Sequence, residues 1–352
     1  MTSQDKFEGW VAQDASAIEG KMQWTTYEPK PFEETDIEME VSHCGICGSD
    51  LHTLRSGWGP SDYPLVVGHE IIGRATRVGK DVEDIKIGDR VGIGAQSGSC
   101  LHCKRCDNGL EPHCSNKSTN TYNDTWPNGG KSYGGYAKRW RGSGAFAFKI
   151  PDEIPSETAA PLLCGGLTVY SPLVQNGAGP GKRVGIVGLG GLGHFAVLFA
   201  KALKCDKVVV ISRSSSKKAD ALKMGADDFI ATDEDPDWAT KNADSLDLLI
   251  STISASFAIE QYLTLLDVKG TLIQVGAPED TLPPLHAFQL IFKRLKLGGS
   301  LIGGRQEAKD MLQLAAKSKL KAWTQVVPMK DANKAIVDME KGKARYRYVL
   351  TN

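Results

Sequence analysis

The sequence predicts an α/β protein with two domains, the first rich in β-strands and the second built on a doubly wound parallel sheet. Its 352 residues fit about two domains of roughly 150 residues each. Short strand-like segments alternate with Gly and Pro turns up to about Pro155. From about Ala159 to Gly299, strand-like and helix-like segments alternate instead.

The composition argues against nucleic-acid and membrane partners. Lys+Arg and Asp+Glu both number 42, so the formal net charge is zero and no basic stripe is evident. The polar start Met1–Trp10 lacks the charged and apolar regions of a signal peptide. No apolar run approaches the roughly 20 residues of a membrane helix. We therefore expect a cytoplasmic protein that acts on a small molecule.

The N-terminal region has the pattern of an antiparallel, barrel-like domain. Its clearest strand-like segments are Asp36–Val41, Ile71–Val78 and Arg90–Ile93. Helical periodicity is scarce between them, and turn residues separate them.

The second region has the pattern of a parallel sheet with helices between its strands. Its predicted strands are Arg183–Gly188, Lys207–Ser212, Asp228–Ala231, Leu246–Ser251 and Gly270–Val275. Helix-like stretches Gly191–Leu203 and Lys217–Met224 follow the first two strands, as a doubly wound sheet requires. The tail adds predicted helices at Glu307–Lys317 and Ala332–Lys341 and a strand at Arg347–Thr351 that could return to the first domain.

A glycine-rich turn predicts a dinucleotide site. The segment Gly188–Gly193 contains G-x-G-x-x-G directly after a predicted strand and at the start of a helix. In such a turn the first Gly permits the bend, the second lets a pyrophosphate approach, and the third allows close helix–strand packing. The free N–H groups of the helix N-terminus then face the phosphates.

The end of the next strand favours NADP(H) over NAD(H). An NAD site usually has Asp or Glu there to bind the ribose 2′-hydroxyl. This strand ends instead at Ser212, followed by Arg213, Ser214 and, shortly after, Lys217. Hydroxyl donors and fixed positive charges suit a 2′-phosphate. A solvated helix cap is the simpler alternative for these residues, and both interpretations are compatible.

Four of the eight cysteines predict a structural metal site. They are Cys100, Cys103, Cys106 and Cys114, with the spacing C-x2-C-x2-C-x7-C. Four thiolates so spaced can surround one tetrahedral Zn²⁺ and leave no position open. An iron–sulfur cluster uses four cysteines as well and is the main alternative.

Other potential metal ligands are scattered along the chain. Cys44, His69 and Cys164 could form a Cys₂His set with one open position, the arrangement already established for the catalytic zinc of alcohol dehydrogenases. Spacing alone cannot assemble them, because an isolated cysteine is usually buried and inert.

Six motifs together resemble the zinc-containing medium-chain dehydrogenases. The resemblance is strongest to their cinnamyl-alcohol dehydrogenase group, which includes fungal NADPH-dependent alcohol dehydrogenases. The motifs occur in the family's order and are CGICGSDLHT (Cys44–Thr53), GHEIIG (Gly68–Gly73), the four-cysteine segment, LLCGGLTVY (Leu162–Tyr170), GLGGLGH (Gly188–His194) and SRSSSKK (Ser212–Lys218).

The resemblance implies a domain organisation and an oligomeric state. Residues 1–157 and 298–352 would form a GroES-like catalytic domain, with a structural zinc lobe at about 97–117. Residues 158–297 would form a Rossmann domain that binds NADP(H). A homodimer is the family expectation.

The resemblance also implies the role of each site residue. Cys44, His69 and Cys164 would hold a catalytic zinc, and the four clustered cysteines a structural one, while Cys47 receives no role. Glu70 would lie behind the metal, Asp50 would orient His69 through its second ring nitrogen, and Ser49 and His52 would form a proton relay. Thr168 would lie near the nicotinamide. The expected pyrophosphate residues are Gly188, Gly190, Gly191, Leu192 and Gly193, and the expected 2′-phosphate residues are Ser212, Arg213, Ser214 and Lys217.

The implied activity is hydride transfer between NADPH and aromatic (cinnamyl-type) or aliphatic aldehydes. The loop Thr119–Pro127 and the residues near Trp58 and Leu301 are expected to shape the substrate pocket. A zinc-dependent polyol or sugar dehydrogenase is the nearest alternative, although such enzymes more often use NAD. A non-enzymatic scaffold is disfavoured because the expected ligand and relay residues are all present.

Overall fold

The structure, a computed structural model, describes residues 6–352. The first half of the segment Met1–Trp10, residues 1–5, lies outside the described residues. The strands are β1 (Phe7–Val11), β2 (Gln23–Tyr27), β3 (Asp36–Gly45), β4 (Ile71–Val78), β5 (Arg90–Ile93), β6 (Gln96–Gly98), β7 (Thr119–Asn120), β8 (Arg139–Ser143), β9 (Ala147–Lys149), β10 (Arg183–Val187), β11 (Lys207–Ser212), β12 (Asp228–Ala231), β13 (Leu246–Ser251), β14 (Leu266–Gln274), β15 (Lys296–Gly299), β16 (Thr324–Pro328) and β17 (Arg347–Thr351).

Eleven α-helices lie between these strands in the described part of the chain. They are α1 (Gly48–Leu54), α2 (Lys104–Asp107), α3 (Ser156–Pro161), α4 (Leu167–Gln175), α5 (Gly191–Ala202), α6 (Lys218–Lys223), α7 (Trp238–Lys241), α8 (Ile259–Thr264), α9 (Ala287–Ile291), α10 (Arg305–Lys317) and α11 (Ala332–Glu340). A π-helical turn, Leu162–Gly166, follows α3. Among residues 6–352, no helix combines the length and apolar character needed to cross a bilayer.

The chain forms two compact units. The first contains Met1–Cys164 and Gly304–Asn352, and the second contains Gly165–Gly303. Strand β17, near the C-terminus, therefore belongs with the N-terminal strands, and it pairs antiparallel with β3.

Strand β3 organises the first unit. Its N-terminal half pairs with β8 and its C-terminal end with β17, while β4 runs alongside on the other edge. The full order of this sheet is β16-β17-β3-β4-β5-β9, with β8 on β3. Because β3 has neighbours on both edges and core on its inner face, Ile37 and Met39 are completely buried. The strand therefore gives a rigid base for the residues that follow it.

The second unit contains a six-stranded parallel sheet in the order β12-β11-β10-β13-β14-β15. The central strands are short apolar runs such as Val208–Ile211, buried on both faces as parallel strands usually are. The strand order reverses at β10, and ligands of such sheets bind beyond the carboxyl ends of the strands at this reversal. The glycine-rich turn follows β10 directly.

Candidate zinc centres and cofactor site

Three buried residues of the first unit bring potential metal ligands together. The ligand atoms of Cys47, His69 and Cys164 all lie within 4.8 Å of one another. The Sγ atoms of Cys47 and Cys164 are 3.7 Å apart. Two thiolates bound at about 2.3 Å to a tetrahedral zinc would lie roughly 3.8 Å apart, so the spacing fits that ion. We call these three residues the Cys47 site.

Each ligand of the Cys47 site comes from a different element. Cys47 is the residue before α1, His69 lies in the segment that leads into β4, and Cys164 lies in the π-helical turn. A π-helical turn inserts an extra residue into a helix and is frequent at functional sites. Only the folded chain brings these elements together.

The structure corrects one predicted ligand. Cys44 lies at the end of β3, fully buried, and its thiol donates to the Gly45 carbonyl at 3.6 Å. A β carbon at Gly68 would lie only 2.7 Å from its Sγ atom, so the thiol packs against backbone. Burial raises the pKa of Cys44 well above its usual value, which keeps the thiol protonated. The prediction that Cys44 is a ligand is wrong, and Cys47 occupies that position.

The electrostatics of the Cys47 site favour a cation. Burial alone lowers the pKa of His69, but Cys47, Asp50 and Glu70 outweigh burial and raise that pKa to about 9. A hydrogen bond from Cys164 holds the pKa of Cys47 well below its ordinary value. The Nε2 atom of His69 is buried and has no hydrogen-bond partner among the described residues. A metal ion would supply both the positive charge and a partner for this nitrogen.

Asp50 acts differently from the prediction. It was expected to accept a hydrogen bond from His69, but its carboxylate accepts from the backbone N–H of Cys47 at 2.9 Å and of Gly68 at 3.1 Å. The Tyr136 hydroxyl donates to it as well, at 2.9 Å. Asp50 therefore fixes the two backbone segments that carry Cys47 and His69, rather than the imidazole itself.

Glu70 forms a buried ion pair that the sequence analysis missed. Its carboxylate accepts from the guanidinium of Arg347, the first residue of β17. Both side chains are buried, and a β carbon at Gly45 would overlap the Glu70 carboxylate. The one signal in the sequence was an arginine at the start of an otherwise uncharged strand. The pair fixes the Glu70 carboxyl next to His69, where burial raises the pKa of Glu70 to about 8 and the Arg347 guanidinium opposes that rise.

Helix α1 and the loop Thr119–Pro127 carry the other predicted residues of this region. The Ser49 hydroxyl lies 3.6 Å from the Cys47 Sγ atom. The His52 ring stacks on Trp58 with ring centroids 4.3 Å apart. Tyr122, from the predicted pocket loop, stacks on His69 at 4.9 Å. Ser49 and Tyr122 thus contact residues of the Cys47 site directly.

The four clustered cysteines form a second centre. Their ligand atoms all lie within 4.8 Å of one another. Neighbouring Sγ atoms are 3.4 Å apart for Cys100 and Cys114, and 3.5 Å apart for Cys103 and Cys106. The backbone N–H groups of Cys106 and Ser115 lower the pKa of Cys103 to about 5, so a thiolate is favoured there. This set fits a closed zinc site of four thiolates.

The glycine-rich turn of the second unit has the geometry that a pyrophosphate requires. Gly188 has a φ of +88°, which favours glycine. A β carbon at Gly193 would overlap the Gly188 carbonyl oxygen, so α5 packs closely against the turn. A β carbon at Gly190 would meet nothing within 4 Å, which leaves that side of the turn open for a ligand. The remaining predicted residues, Gly191 and Leu192, begin α5 and are partly exposed.

The residues predicted to bind the 2′-phosphate lie at and beyond the end of β11. Ser212 is partly buried, while Arg213 and Ser214 are exposed. Lys217 donates from Nζ to the Leu189 carbonyl at 2.7 Å, so its charge lies at the glycine-rich turn. Thr168, in α4, is partly exposed. Two hydroxyls and two positively charged side chains thus lie at or just beyond the C-terminal end of β11, and they belong to Ser212, Ser214, Arg213 and Lys217.

Comparison with known proteins identifies the family. The family model of the alcohol dehydrogenase GroES-like domain matches residues 33–152, and that of the zinc-binding dehydrogenases matches residues 191–317. The chain belongs to the zinc-containing medium-chain alcohol dehydrogenases, in their cinnamyl alcohol dehydrogenase group. The predicted family, fold class and enzyme class are thereby confirmed.

Three relatives show how far the similarity of this dehydrogenase extends. NADP-dependent alcohol dehydrogenase 6 of Saccharomyces cerevisiae is 43% identical, covering 99% of this chain and 98% of the relative. Mannitol dehydrogenase of Petroselinum crispum is 44% identical, covering 90% and 94% of the two chains. The solved structure of a cinnamyl alcohol dehydrogenase from Sorghum bicolor has a TM-score of 0.93 at 38% identity, and the match covers 99% of this chain and 98% of that structure's chain. These matches agree with the predicted cofactors, zinc and NADP(H).

Proposed function

We propose that this alcohol dehydrogenase interconverts aromatic (cinnamyl-type) or aliphatic aldehydes and their primary alcohols with NADP(H). The Cys47 site carries the proposal because it offers three protein ligands. Three ligands leave the fourth position of a tetrahedral zinc open to a substrate oxygen, as in catalytic zinc sites. The four-cysteine site has no such position and is proposed to be structural.

The proposed mechanism assigns the metal to Cys47, His69 and Cys164. When bound, zinc supplies Lewis acidity toward the substrate oxygen, and NADP(H) supplies or accepts the hydride. Asp50 keeps the Cys47 and Gly68 backbones in place through its hydrogen bonds. Glu70, paired with Arg347, is held next to His69.

Ser49 and His52 are proposed to move the proton that accompanies hydride transfer. The Ser49 hydroxyl lies beside Cys47 and can both donate and accept a hydrogen bond. His52, one turn further along α1, then exchanges the proton with solvent. During aldehyde reduction the proton moves toward the substrate oxygen, and during alcohol oxidation it moves away.

The second unit is proposed to bind NADP(H). Its glycine-rich turn, from Gly188 to Gly193, would hold the pyrophosphate at the start of α5. The 2′-phosphate would lie among Ser212, Arg213, Ser214 and Lys217, and Thr168 would contact the nicotinamide. We also propose that the two units correspond to the catalytic and cofactor domains that the sequence predicts, 1–157 with 298–352 and 158–297.

A homodimer in the cytoplasm completes the proposal. The edge strand β15 has every residue exposed, and the nearby Phe288, Ile291 and Phe292 are each at least 60% exposed. An exposed edge with an apolar patch favours pairing with another copy. Light scattering should report a dimer that Phe292→Asp converts to a monomer. All eight cysteines are free thiols, which suits a reducing compartment.

A polyol dehydrogenase is the second candidate. The similarity to the mannitol dehydrogenase of Petroselinum crispum favours it. Against it stands the end of β11, which offers Ser212 and Arg213 where NAD-dependent enzymes usually have a carboxylate.

Initial rates of cinnamaldehyde reduction test the proposal. They should be measured with NADPH and NADH before and after a strong zinc chelator, with mannitol oxidation in parallel. We expect fast NADPH-dependent reduction that the chelator abolishes. Activity with mannitol and NAD⁺ but not with cinnamaldehyde would replace the aldehyde reductase with the polyol enzyme.

A further inference from the structure

A threonine hydroxyl of the second unit holds the first glycine of the dinucleotide turn. Thr252 is the residue directly after β13, and its Oγ1 atom lies 2.9 Å from the carbonyl oxygen of Val187 and 3.1 Å from that of Gly188. A carbonyl oxygen can only accept, so the Thr252 hydroxyl is the donor in both contacts. Among residues 6–352, no other group donates a hydrogen bond to the Gly188 carbonyl. The position of this carbonyl therefore depends on the Thr252 side chain.

The direction of the Gly188 carbonyl also sets the direction of the next N–H group. The peptide between Gly188 and Leu189 is planar and trans, so its carbonyl and its N–H point in opposite directions. Because the carbonyl points toward Thr252, the Leu189 N–H points away from it. If the carbonyl lost its donor, this peptide could rotate and the N–H group would leave that direction.

The strand on the other side of β10 holds the next carbonyl of the turn. Strand β10 lies between β11 and β13 in the sheet. Lys217, which follows β11, donates from Nζ to the Leu189 carbonyl at 2.7 Å. Two consecutive carbonyls of the turn are thus held by side chains that follow the two strands beside β10. Both contacts restrict the turn to one conformation.

The segment that carries Thr252 is itself fixed to the sheet. The Thr252 N–H donates to the Val187 carbonyl at 2.9 Å, which extends the pairing of β13 with β10. The side-chain amide of Gln274, the last residue of β14, donates to the carbonyls of Ile253 at 2.9 Å and Gly276 at 2.7 Å. Both partners are acceptors, so the amide nitrogen faces them. The Thr252 hydroxyl therefore projects from a rigid segment.

We propose that Thr252 is a positioning residue for NADP(H). Its hydroxyl holds the Gly188 carbonyl and so keeps the N–H groups of the turn oriented for the pyrophosphate, which raises affinity because less ordering is needed on binding. This inference rests on the proposed binding of the pyrophosphate at Gly188–Gly193. The pyrophosphate is common to NADPH and NADH. Thr252 should therefore contribute equally to both affinities, unlike Arg213, which is proposed to contact the 2′-phosphate.

Fluorescence titration of the zinc-loaded enzyme with each cofactor tests this role. Thr252→Val keeps the shape of the side chain but removes the donor, and we expect the Kd values for NADPH and NADH to rise by the same factor, about fivefold, as for the loss of one neutral hydrogen bond. Thr252→Ser keeps the hydroxyl and should bind both cofactors within about twofold of wild type. At saturating NADPH, kcat should not fall, because Thr252 acts on binding rather than on the chemical step.

Thr264 provides a matched control in the same unit. Its hydroxyl also donates to a backbone carbonyl, that of Glu260 at 3.2 Å, but within α8. Thr264→Val should therefore leave both Kd values within about twofold of wild type. Equal losses of affinity in Thr264→Val and Thr252→Val would reduce Thr252 to a general stabiliser of the second unit and overturn the inference.

Two fragments of the cofactor locate the effect of Thr252. ADP contains the pyrophosphate, whereas 2′-AMP contains the adenosine and the 2′-phosphate without it. As inhibitors competitive with NADPH, ADP should bind Thr252→Val about fivefold more weakly than wild type, and 2′-AMP should bind both enzymes equally. Unchanged binding of ADP would show that Thr252 does not act through the pyrophosphate, and the inference would be wrong.

The variant Gly190→Ala distinguishes failure of this inference from failure of the proposed cofactor site. If Gly190→Ala weakens NADPH binding and Thr252→Val does not, the turn binds the pyrophosphate but the role of Thr252 is wrong. If neither variant weakens NADPH binding, the proposed pyrophosphate site fails and the inference fails with it.

Discussion

The Sγ atoms of Cys47 and Cys164 lie 3.7 Å apart although 117 residues separate them in the chain. The contact joins the start of α1 to the π-helical turn and brings both thiols to His69. Cys44, only three residues before Cys47, lies in the apolar core instead. The two neighbouring cysteines of one motif therefore lie in separate environments, one beside His69 and Cys164 and one in the apolar core.

A matched pair of variants tests this separation. Cys47→Ala should remove the catalytic zinc and lower activity by at least about 100-fold, because the remaining two ligands cannot hold the ion in an active geometry. Cys44→Ala should keep about two zinc ions per chain and most of the activity, at a cost of about 1–2 kcal/mol in stability for the lost packing. Metal analysis and thermal melting measure both. Two zinc ions in Cys47→Ala, or one in Cys44→Ala, would restore the original assignment.

The sequence was sufficient for the elements with strong local signals. The bounds of β11 and β13 match the predicted Lys207–Ser212 and Leu246–Ser251, because each is an apolar run between turns. Strand β15 was not predicted, since its four exposed residues show no hydrophobic pattern. Most of the second unit's sheet could be located, whereas its exposed edge could not.

The two candidate metal centres were likewise predictable only where their residues are close together in the sequence. The four-cysteine centre was predicted because its ligands are close in sequence, and spacing alone restricts the geometry. The choice between Cys44 and Cys47 depends on which of them faces the core, and only the packing of β3 and α1 decides that. Glu70 forms an ion pair with Arg347, and Arg55 forms one with Glu340. Arg347 and Glu340 both lie in the C-terminal segment, far from their partners in the sequence, so no local pattern pointed to these pairs.

The four-cysteine site should stabilise the first unit without taking part in turnover. Cys106→Ser should bind about one zinc ion fewer per chain and melt at a lower temperature, because the metal stabilises a lobe with few apolar side chains. Its initial activity at low temperature should remain within about threefold of the wild type. Cys205→Ala, a cysteine outside both centres, controls for the loss of a thiol. Complete loss of activity with full retention of stability would assign the reacting zinc to this lobe.

Substitution by alanine should have different effects at two glycines of the dinucleotide turn, one on cofactor binding and one on stability. Gly190→Ala should fold normally, because its β carbon enters open space, but it should weaken NADPH binding at least about tenfold by occupying the space of the pyrophosphate. Gly193→Ala should destabilise the second unit by about 2 kcal/mol or more, because its β carbon overlaps the Gly188 carbonyl. Fluorescence titration with NADPH and denaturant unfolding separate the two effects. Normal cofactor affinity in Gly190→Ala would place the pyrophosphate elsewhere.

The ion pair between Arg183 and Asp247 should give the second unit part of its acid sensitivity. The guanidinium donates to Asp247 at 2.7 Å and holds the pKa of that carboxyl below its usual 3.8. A lowered native pKa stabilises the fold above the unfolded pKa, and the stabilisation is lost as the pH falls through the native one. Asp247→Asn should therefore cost about 1 kcal/mol at pH 7, and the difference from wild type should shrink as the pH falls below about 4.

Urea unfolding at several pH values measures this difference. Asp228→Asn removes a more exposed pair, between Lys207 and Asp228, and should cost less than about 0.5 kcal/mol. A difference between Asp247→Asn and wild type that stays constant from pH 7 down to about pH 2 would assign the acid sensitivity to other groups.

Arg213 should determine the choice between NADPH and NADH. It is exposed directly after the last residue of β11, where a planar guanidinium can bind a 2′-phosphate with two hydrogen bonds. Arg213→Ala should raise the KM for NADPH about 10- to 100-fold, the loss expected for one charge-assisted contact, and leave the KM for NADH within about twofold. Ser212→Asp should shift the preference toward NADH more strongly than Arg213→Ala does. A carboxylate repels the 2′-phosphate of NADPH and can accept a hydrogen bond from the 2′-hydroxyl of NADH. The ratio of kcat/KM for the two cofactors measures the preference, with NADH as the internal control. An unchanged ratio in both variants would mean that the 2′-phosphate does not bind at the end of β11.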